Sequence, residues 1–294
     1  MKLQDLIQSG KPVLLDGGMG TQLIKRGLEP GGLNNLSNPE AVLSVHREYI
    51  KSGSRILITN TLTMNRISLE SHDLNIDLRE VNAAGVKLAK QACAEAPGAE
   101  RFVLGDISST GQLLEPYGTY SEEAFYDTFR EQAGILAECG VDGFIIETMF
   151  DLREMECAVR ACKDTASLPI IATLTFSTVA NGCRTIMGNS AADFAQSMNS
   201  LGVAAIGTNC GELDPLEVAN VITILKELTP LPLVAQPNAG KPSLINGQTV
   251  YDMTPASFGT GVAACLKAGA QFVGGCCGTS PDHIREIQKI IGEN

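Results

Sequence analysis

The sequence predicts a closed (β/α)8 barrel, the TIM fold, formed as a single domain over residues 1–294. Short apolar runs recur eight times along the chain, with amphipathic segments between them. The longest connections, 17–38, 107–120, 175–190 and 238–254, all follow apolar runs, on the face where barrel enzymes build their sites. An open doubly wound sheet is the competing arrangement. Eight units in 294 residues favour the barrel, and no dinucleotide-binding glycine fingerprint follows the first run.

The expected strands are 13–16, 55–59, 102–106, 143–147, 169–174, 204–208, 233–236 and 272–275. Most are nearly continuously apolar, as parallel strands covered on both faces are. The first long helical pattern, 39–52, opens at Asn38-Pro39 and carries Ala41, Val42, Val45 and Ile50 at helical spacing. The pattern 79–94 follows, then 121–139, which opens with Ser121 before Glu122 and Glu123. Next come 151–164 and 191–201. The last three, 215–228, 255–268 and 281–291, start at Asp214-Pro215, Thr254-Pro255 and Ser280-Pro281. Gly53, Gly140, Gly202 and Gly269 stand where helices should stop.

Composition removes several classes of function. Lys and Arg number 22 against 33 Asp and Glu, a formal charge of −11, which disfavours a nucleic-acid partner. No stretch reaches the roughly 18 apolar residues of a membrane span. The start, Met1-Lys2-Leu3-Gln4-Asp5, lacks the apolar core of a signal peptide, so a soluble cytoplasmic protein is expected. Nine cysteines, an odd number without a CxxC pair, point to free thiols and metal ligands rather than a disulfide framework.

Three of those cysteines end strands. Cys210 closes the sixth run, and Cys276-Cys277 close the eighth, with Gly211, Gly275 and Gly278 beside them to let the chain turn. Buried structural thiols would explain any one of them. Three on one barrel face favour a soft metal, zinc above all, with a coordination position left open. Cys183, in the loop after the fifth strand, is a weaker candidate for a fourth ligand. Cys93, Cys139, Cys157, Cys162 and Cys265 lie on helical patterns as packing residues.

None of the three histidines, His46, His72 and His283, ends a strand. His46 and His283 fall on helices, as solvated or capping side chains. A histidine-based triad therefore has little support. Asp16, Asp106 and Glu147 each end a strand on the same face. They suit acid–base work, the grip of a substrate ammonium, or pairing with a barrel Arg or Lys. Gly17-Gly18-Met19-Gly20 lacks a P-loop lysine and lets the main chain approach a small substrate.

The motifs Leu14-Leu15-Asp16-Gly17-Gly18-Met19-Gly20-Thr21, Thr59-Asn60-Thr61, Ile146-Glu147-Thr148-Met149, Gly207-Thr208-Asn209-Cys210, Gln236-Pro237-Asn238-Ala239-Gly240 and Gly274-Gly275-Cys276-Cys277-Gly278-Thr279 recur together in order. In this combination the chain resembles the zinc-dependent homocysteine S-methyltransferase family over nearly its whole length. Within it, Leu33-Asn34-Asn35-Leu36 and Thr61 to Asn65-Arg66 are most similar to the homocysteine barrel of cobalamin-dependent methionine synthase. Thr148 stands where betaine-using members have a tyrosine. The loop with Gly182-Cys183-Arg184-Thr185 departs from the pattern, and Asp106-Ile107-Ser108-Ser109-Thr110-Gly111 matches it loosely.

The resemblance implies methyl transfer to the sulfur of L-homocysteine, giving methionine. It makes Cys210, Cys276 and Cys277 the zinc ligands. Asp16 and Glu147 would hold the substrate amino group beside Gly17, and Asn238 would be a weak oxygen ligand when homocysteine is absent. The reacting group is the metal-activated substrate thiolate, with no protein side chain as acid or base at the methyl. Folate, cobalamin and activation domains are not expected within 294 residues. Cobalamin would then sit on a separate methylcorrinoid partner. The alternatives are a small donor such as S-methylmethionine, another acceptor thiol, or a non-catalytic zinc- and homocysteine-binding subunit.

Overall fold

A computed structural model describes residues 2–245 and 247–292. Its strands are β1 (Val13–Leu14), β2 (Ile56–Ile58), β3 (Phe102–Ile107), β4 (Gly143–Met149), β5 (Ile170–Leu174), β6 (Ala205–Asn209), β7 (Leu233–Gln236), β8 (Ser243–Ile245), β9 (Gln248–Val250) and β10 (Ala270–Val273). Eight of them form one parallel sheet in the order β1-β10-β7-β6-β5-β4-β3-β2. The β1–β2 seam nearly closes it into a barrel. There Arg55 N donates to Leu14 O at 2.8 Å, and Ile58 N donates to the Asp16 carboxylate at 2.9 Å. A side chain thus supplies a bond where the strand ladder runs out.

The eight long helices expected from the sequence are present. They are α4 (Pro39–Lys51), α6 (Leu78–Glu95), α7 (Glu122–Glu138), α8 (Leu152–Thr165), α9 (Ala191–Leu201), α10 (Pro215–Leu228), α11 (Pro255–Ala268) and α12 (Pro281–Gly292). Ser121, Asp214 and Thr254 accept from backbone amides at their helix starts. Asn38 does not; its amide donates to Asn34 instead, and Pro39 supplies the helical start. Gly53, Gly140, Gly202 and Gly269 all take positive φ just beyond helix ends.

Four short helices and a hairpin escape the periodicity: α1 (Leu3–Gln8), α2 (Met19–Ile24), α3 (Asn34–Ser37), α5 (Arg66–Ser71) and the antiparallel β8–β9 pair. None is long enough to repeat an apolar stripe. α1 joins the inner core. Its Leu3, Leu6 and Ile7 pack with Val13, Leu15, Ile145 and Phe272, and the Gln271 amide bonds to Leu6 O and Ile7 O.

The continuous apolar strands serve two cores. Ile145 points into the barrel, while Phe144 and Ile146 pack outward with the helices. Higher in the barrel that alternation brings polar side chains inward: Asp106 after Leu104, Glu147 after Ile145, Thr173 after Ile171, Gln236 after Val234. All four are buried. At Gly207 a Cβ would stand 2.0 Å from Val234 O, so only glycine lets β6 pass β7 there. No helix among the described residues is long and apolar enough to cross a membrane.

Candidate metal centre and substrate cavity

Cys210, Cys276 and Cys277 come together because three chain segments are laced by their backbones just past the strands. Cys210 N donates to Gln236 O at 3.3 Å, Cys276 N to Pro237 O at 2.9 Å, and Ala239 N to Cys277 O at 2.9 Å. Cys210 has φ 56°, a left-handed conformation that a side chain adopts only under constraint. The turn after Cys276 is held by Thr279, whose Oγ1 donates to Cys276 O at 2.7 Å. Gly278, at φ 80°, lies against Tyr251, where a Cβ would meet that side chain at 2.3 Å.

The three sulfurs lie within 4.8 Å of one another, with Cys210 Sγ and Cys277 Sγ at 3.9 Å. Thiolates at about 2.3 Å from a tetrahedral zinc would stand roughly 3.8 Å apart. The donor set therefore fits a soft cation with three protein ligands. The thiols also crowd one negative charge onto one sulfur. Cys277 is pushed down to about 3 by hydrogen bonds from Cys210, Cys276 and, more weakly, the Tyr251 hydroxyl. Cys276 is pushed up by its hydrogen bonds to Cys210 and Cys277 and by burial. Only a cation lets all three ionise together.

Beside the sulfurs is a cavity of about 380 Å³ whose wall includes Asp16, Asp106, Glu147, Gln236 and the three cysteines. Gly17 and Gly18 form part of its rim, but their glycine requirement has another source. A Cβ on Gly18 would meet Cys276 O at 2.5 Å, and one on Gly17 would meet the Thr279 and Tyr49 hydroxyls. These glycines let the first loop close on the cysteine turn. A larger recess of about 920 Å³ opens between Lys2, Arg101 and Lys163, and no cysteine lines it.

Burial dominates the acids. Glu147 is pushed up to about 7 by desolvation first and the Cys277 charge second. Asp106 rises by desolvation, then by the charges of Glu147 and Asp16. Asp16 rises by desolvation, against the bond from Ile58 N. Asn209 connects acids to thiols: its Nδ2 donates to Glu147 Oε2 at 2.6 Å and Thr148 Oγ1 at 2.8 Å, and lies 3.8 Å from Cys276 Sγ.

The homocysteine S-methyltransferase family description matches residues 13–291. The chain belongs to that family. It is 30% identical to methionine synthase of Mycobacterium leprae over 295 residues, covering 94% of this chain and 24% of that protein. The Mycobacterium tuberculosis methionine synthase is 29% identical over 304 residues, with 97% and 25% covered. This homocysteine S-methyltransferase family member thus spans about a quarter of those relatives' length. Its fold also matches the metallated form of the homocysteine methyltransferase MmuM from Escherichia coli. That match has a TM-score of 0.80 and 24% identity, over 98% of this chain and 99% of that one.

Among family residues expected from the sequence, Asn238 is fully buried, and its Nδ2 donates to Gly211 O at 2.7 Å. Its Oδ1 has no partner. Cys183 does not join the trio. It takes φ 58°, and its thiol turns toward Val179 O, inside the apolar core. His283 caps as expected, bonding Ser280 and Met253 O. His46 is neither solvated nor capping: it is fully buried, and both ring nitrogens lack partners. Asn209 stands in one of the sequence motifs without a role read for it, and Tyr251 stands in none. Asn209 is only the polar residue before Cys210, and Tyr251 reads as part of a long loop.

Proposed function

We propose that this chain transfers a methyl group to the sulfur of L-homocysteine, giving methionine, with zinc held by Cys210, Cys276 and Cys277. The carrying observation is the joining of three mutually close thiols and three buried acids on one cavity that, among the described residues, no Lys, Arg or His lines. Bound there, zinc supplies Lewis acidity that keeps an alkyl thiol deprotonated near neutral pH with its sulfur lone pairs still nucleophilic. Asp16 and Glu147 hold the acceptor's ammonium and so aim its sulfur at the donor. Gly17 brings the main chain close to the acceptor's other end. Asn209 keeps Glu147 and Thr148 in register. Asn238 Oδ1 is the weak oxygen ligand of the substrate-free site, in keeping with its orphaned state. The methyl moves in line, and no side chain acts on a proton at carbon.

The donor in this reading is a methylcorrinoid carried by a separate protein, so cobalamin is bound by that partner rather than by this barrel. Zinc-loaded chain, homocysteine and methylcobalamin should yield methionine. C276A should lose both the metal and the product. Turnover with S-methylmethionine alone would replace the donor and keep the site. Full activity in C276A would end the zinc reading.

A further inference from the structure

In the ring of eight strands β2 lies four places from β6. The loop after β2, with Asn60, Leu62 and Thr63, therefore stands across the cavity from Cys210, and Pro30 and Gly31 of the first loop stand beside it. This wall lies beyond the strand ladder, and side-chain amides hold it instead. Asn60 Nδ2 donates to Asn35 Oδ1 at 3.0 Å and to Gly31 O at 3.1 Å. Asn35 Nδ2 returns a bond to Asn60 O at 2.8 Å and reaches Val81 O, on α6, at 3.1 Å. Further along the loop, Gln132 Nε2 donates to Thr61 O at 2.9 Å and Asn82 Nδ2 to Met64 O at 2.8 Å. All four amide side chains are buried. A Cβ on Gly85 would stand 2.7 Å from both Asn35 Nδ2 and Thr61 Cγ2, so α6 carries a glycine where the clamp passes. Nearer the thiols the cavity wall keeps buried acceptors without partners, Asp106 Oδ1 and Gln236 Oε1. Across from Cys210 the carbonyls of Gly31, Asn60 and Thr61 are taken.

We propose that the interlocked amides of Asn35 and Asn60 are a length gauge: they fix the wall opposite Cys210 and so set how long an acceptor thiol the cavity takes. The inference rests on the functional reading above and deepens it. In that reading the acceptor's sulfur is fixed at the cysteines, so its chain has to end before the far wall. A wall of exposed side chains would give way to one more methylene. This wall is backbone, and moving it breaks buried amide bonds on both loops at once. An acceptor one methylene longer than homocysteine therefore meets a barrier, whereas one methylene shorter only leaves a gap. Asn35 does not line the cavity, and neither amide bonds to a thiol, so Asn35 and Asn60 are positioning residues and zinc binding does not depend on them.

The test titrates zinc-loaded protein calorimetrically with three acceptors: cysteine, homocysteine and 2-amino-5-mercaptopentanoate, which differ by one methylene each. Wild type should bind homocysteine more tightly than the longest acceptor by roughly 10-fold or more. N35A, which removes the clamp from behind the wall, should keep its zinc and reduce that ratio to about a third or less. Its preference for homocysteine over cysteine should stay as in wild type, because a yielding wall gives the shorter chain no new contact. N60A removes the partner amide, should move the same ratio in the same direction, and serves if N35A folds poorly. Wild type that does not discriminate against the longest acceptor overturns the gauge and leaves the homocysteine reading standing. So does a variant that keeps the wild-type ratio or weakens all three acceptors alike. Wild-type protein that holds zinc and binds none of the three overturns both.

Discussion

Asn209 and Thr148 are locked together by a reciprocal pair of bonds: Thr148 N donates to Asn209 Oδ1 at 2.9 Å, and Asn209 Nδ2 donates to Thr148 Oγ1 at 2.8 Å. Thr148 has φ 58°, rare for a β-branched residue, and sits where the β4–β5 register shifts. Thr173 Oγ1 adds a third bond, to Asn209 Oδ1 at 2.8 Å. One amide therefore holds a strained backbone, an acid of the cavity and the flank of Cys276. N209A should orphan the Thr148 amide and a Glu147 oxygen together. At about 1–3 kcal/mol per orphaned group, the expected loss is at least about 2 kcal/mol in urea unfolding. Homocysteine binding should weaken as well. An unfolding curve that matches wild type would remove Asn209 from this role.

The proposed zinc site separates the nine cysteines. Changing Cys210, Cys276 or Cys277 to alanine should drop zinc from about one per chain to near zero, as measured by elemental analysis. C183A should retain the metal, because its thiol faces Val179 O within the core. Loss of zinc from C183A would contradict the separation seen here.

Tyr251 should act on the proposed zinc site without binding the substrate. Its hydroxyl helps to hold the Cys277 thiol down, and its Cβ and Cγ stand where a side chain on Gly278 would be. Outer partners of metal ligands typically change affinity or activity by about 10–100-fold when removed. Y251F should hold zinc more weakly in chelator competition, with the barrel's melting temperature little changed. Equal zinc retention in Y251F and wild type would show the bond to be incidental.

Gly207 offers a check on the barrel itself. Its missing Cβ leaves room for Val234 O, which would otherwise be 2.0 Å away. Both groups are backbone, so neither can rotate aside. G207A should therefore cost at least the roughly 1–3 kcal/mol of ordinary overpacking. Wild-type stability in G207A would mean that β6 and β7 can separate at no cost.

These residues show what a sequence displays and what it conceals. The barrel was legible because eight strands each bury both faces, which forces near-continuous apolar runs, and because each long helix needs an apolar stripe. The cysteine trio was legible because thiols at strand ends are rare enough to carry meaning, and the glycines beside them announce turns. Asn209, Gln236 and Tyr251 were not, since their roles come from contacts across β4, β6, β7 and the β9–α11 loop, which no local pattern encodes. The unpartnered oxygen of Asp106 was hidden for the same reason. Its place at a strand end could be read; what surrounds it could not. His46 was misread because helical periodicity alone does not distinguish a solvated flank from one pressed against the barrel.

His46 makes the fold sensitive to mild acid. It is fully buried on α4, both ring nitrogens lack hydrogen-bond partners, and burial alone pushes it down to about 4. In the unfolded chain a histidine titrates near 6.5. Below that pH the unfolded state takes up a proton that the folded state refuses. Stability should therefore be full above about pH 6.5 and fall as the pH drops toward about 4, where the loss levels off. At about 1.4 kcal/mol per pH unit the single group accounts for roughly 3 kcal/mol. H46L removes the titration and sacrifices no hydrogen bond, because the ring makes none. The difference in unfolding free energy between H46L and wild type, measured by urea from pH 7 to pH 4.5, should therefore shift in favour of H46L as the pH falls. A difference that stays constant across that range would mean that His46 finds a proton partner or water inside the fold.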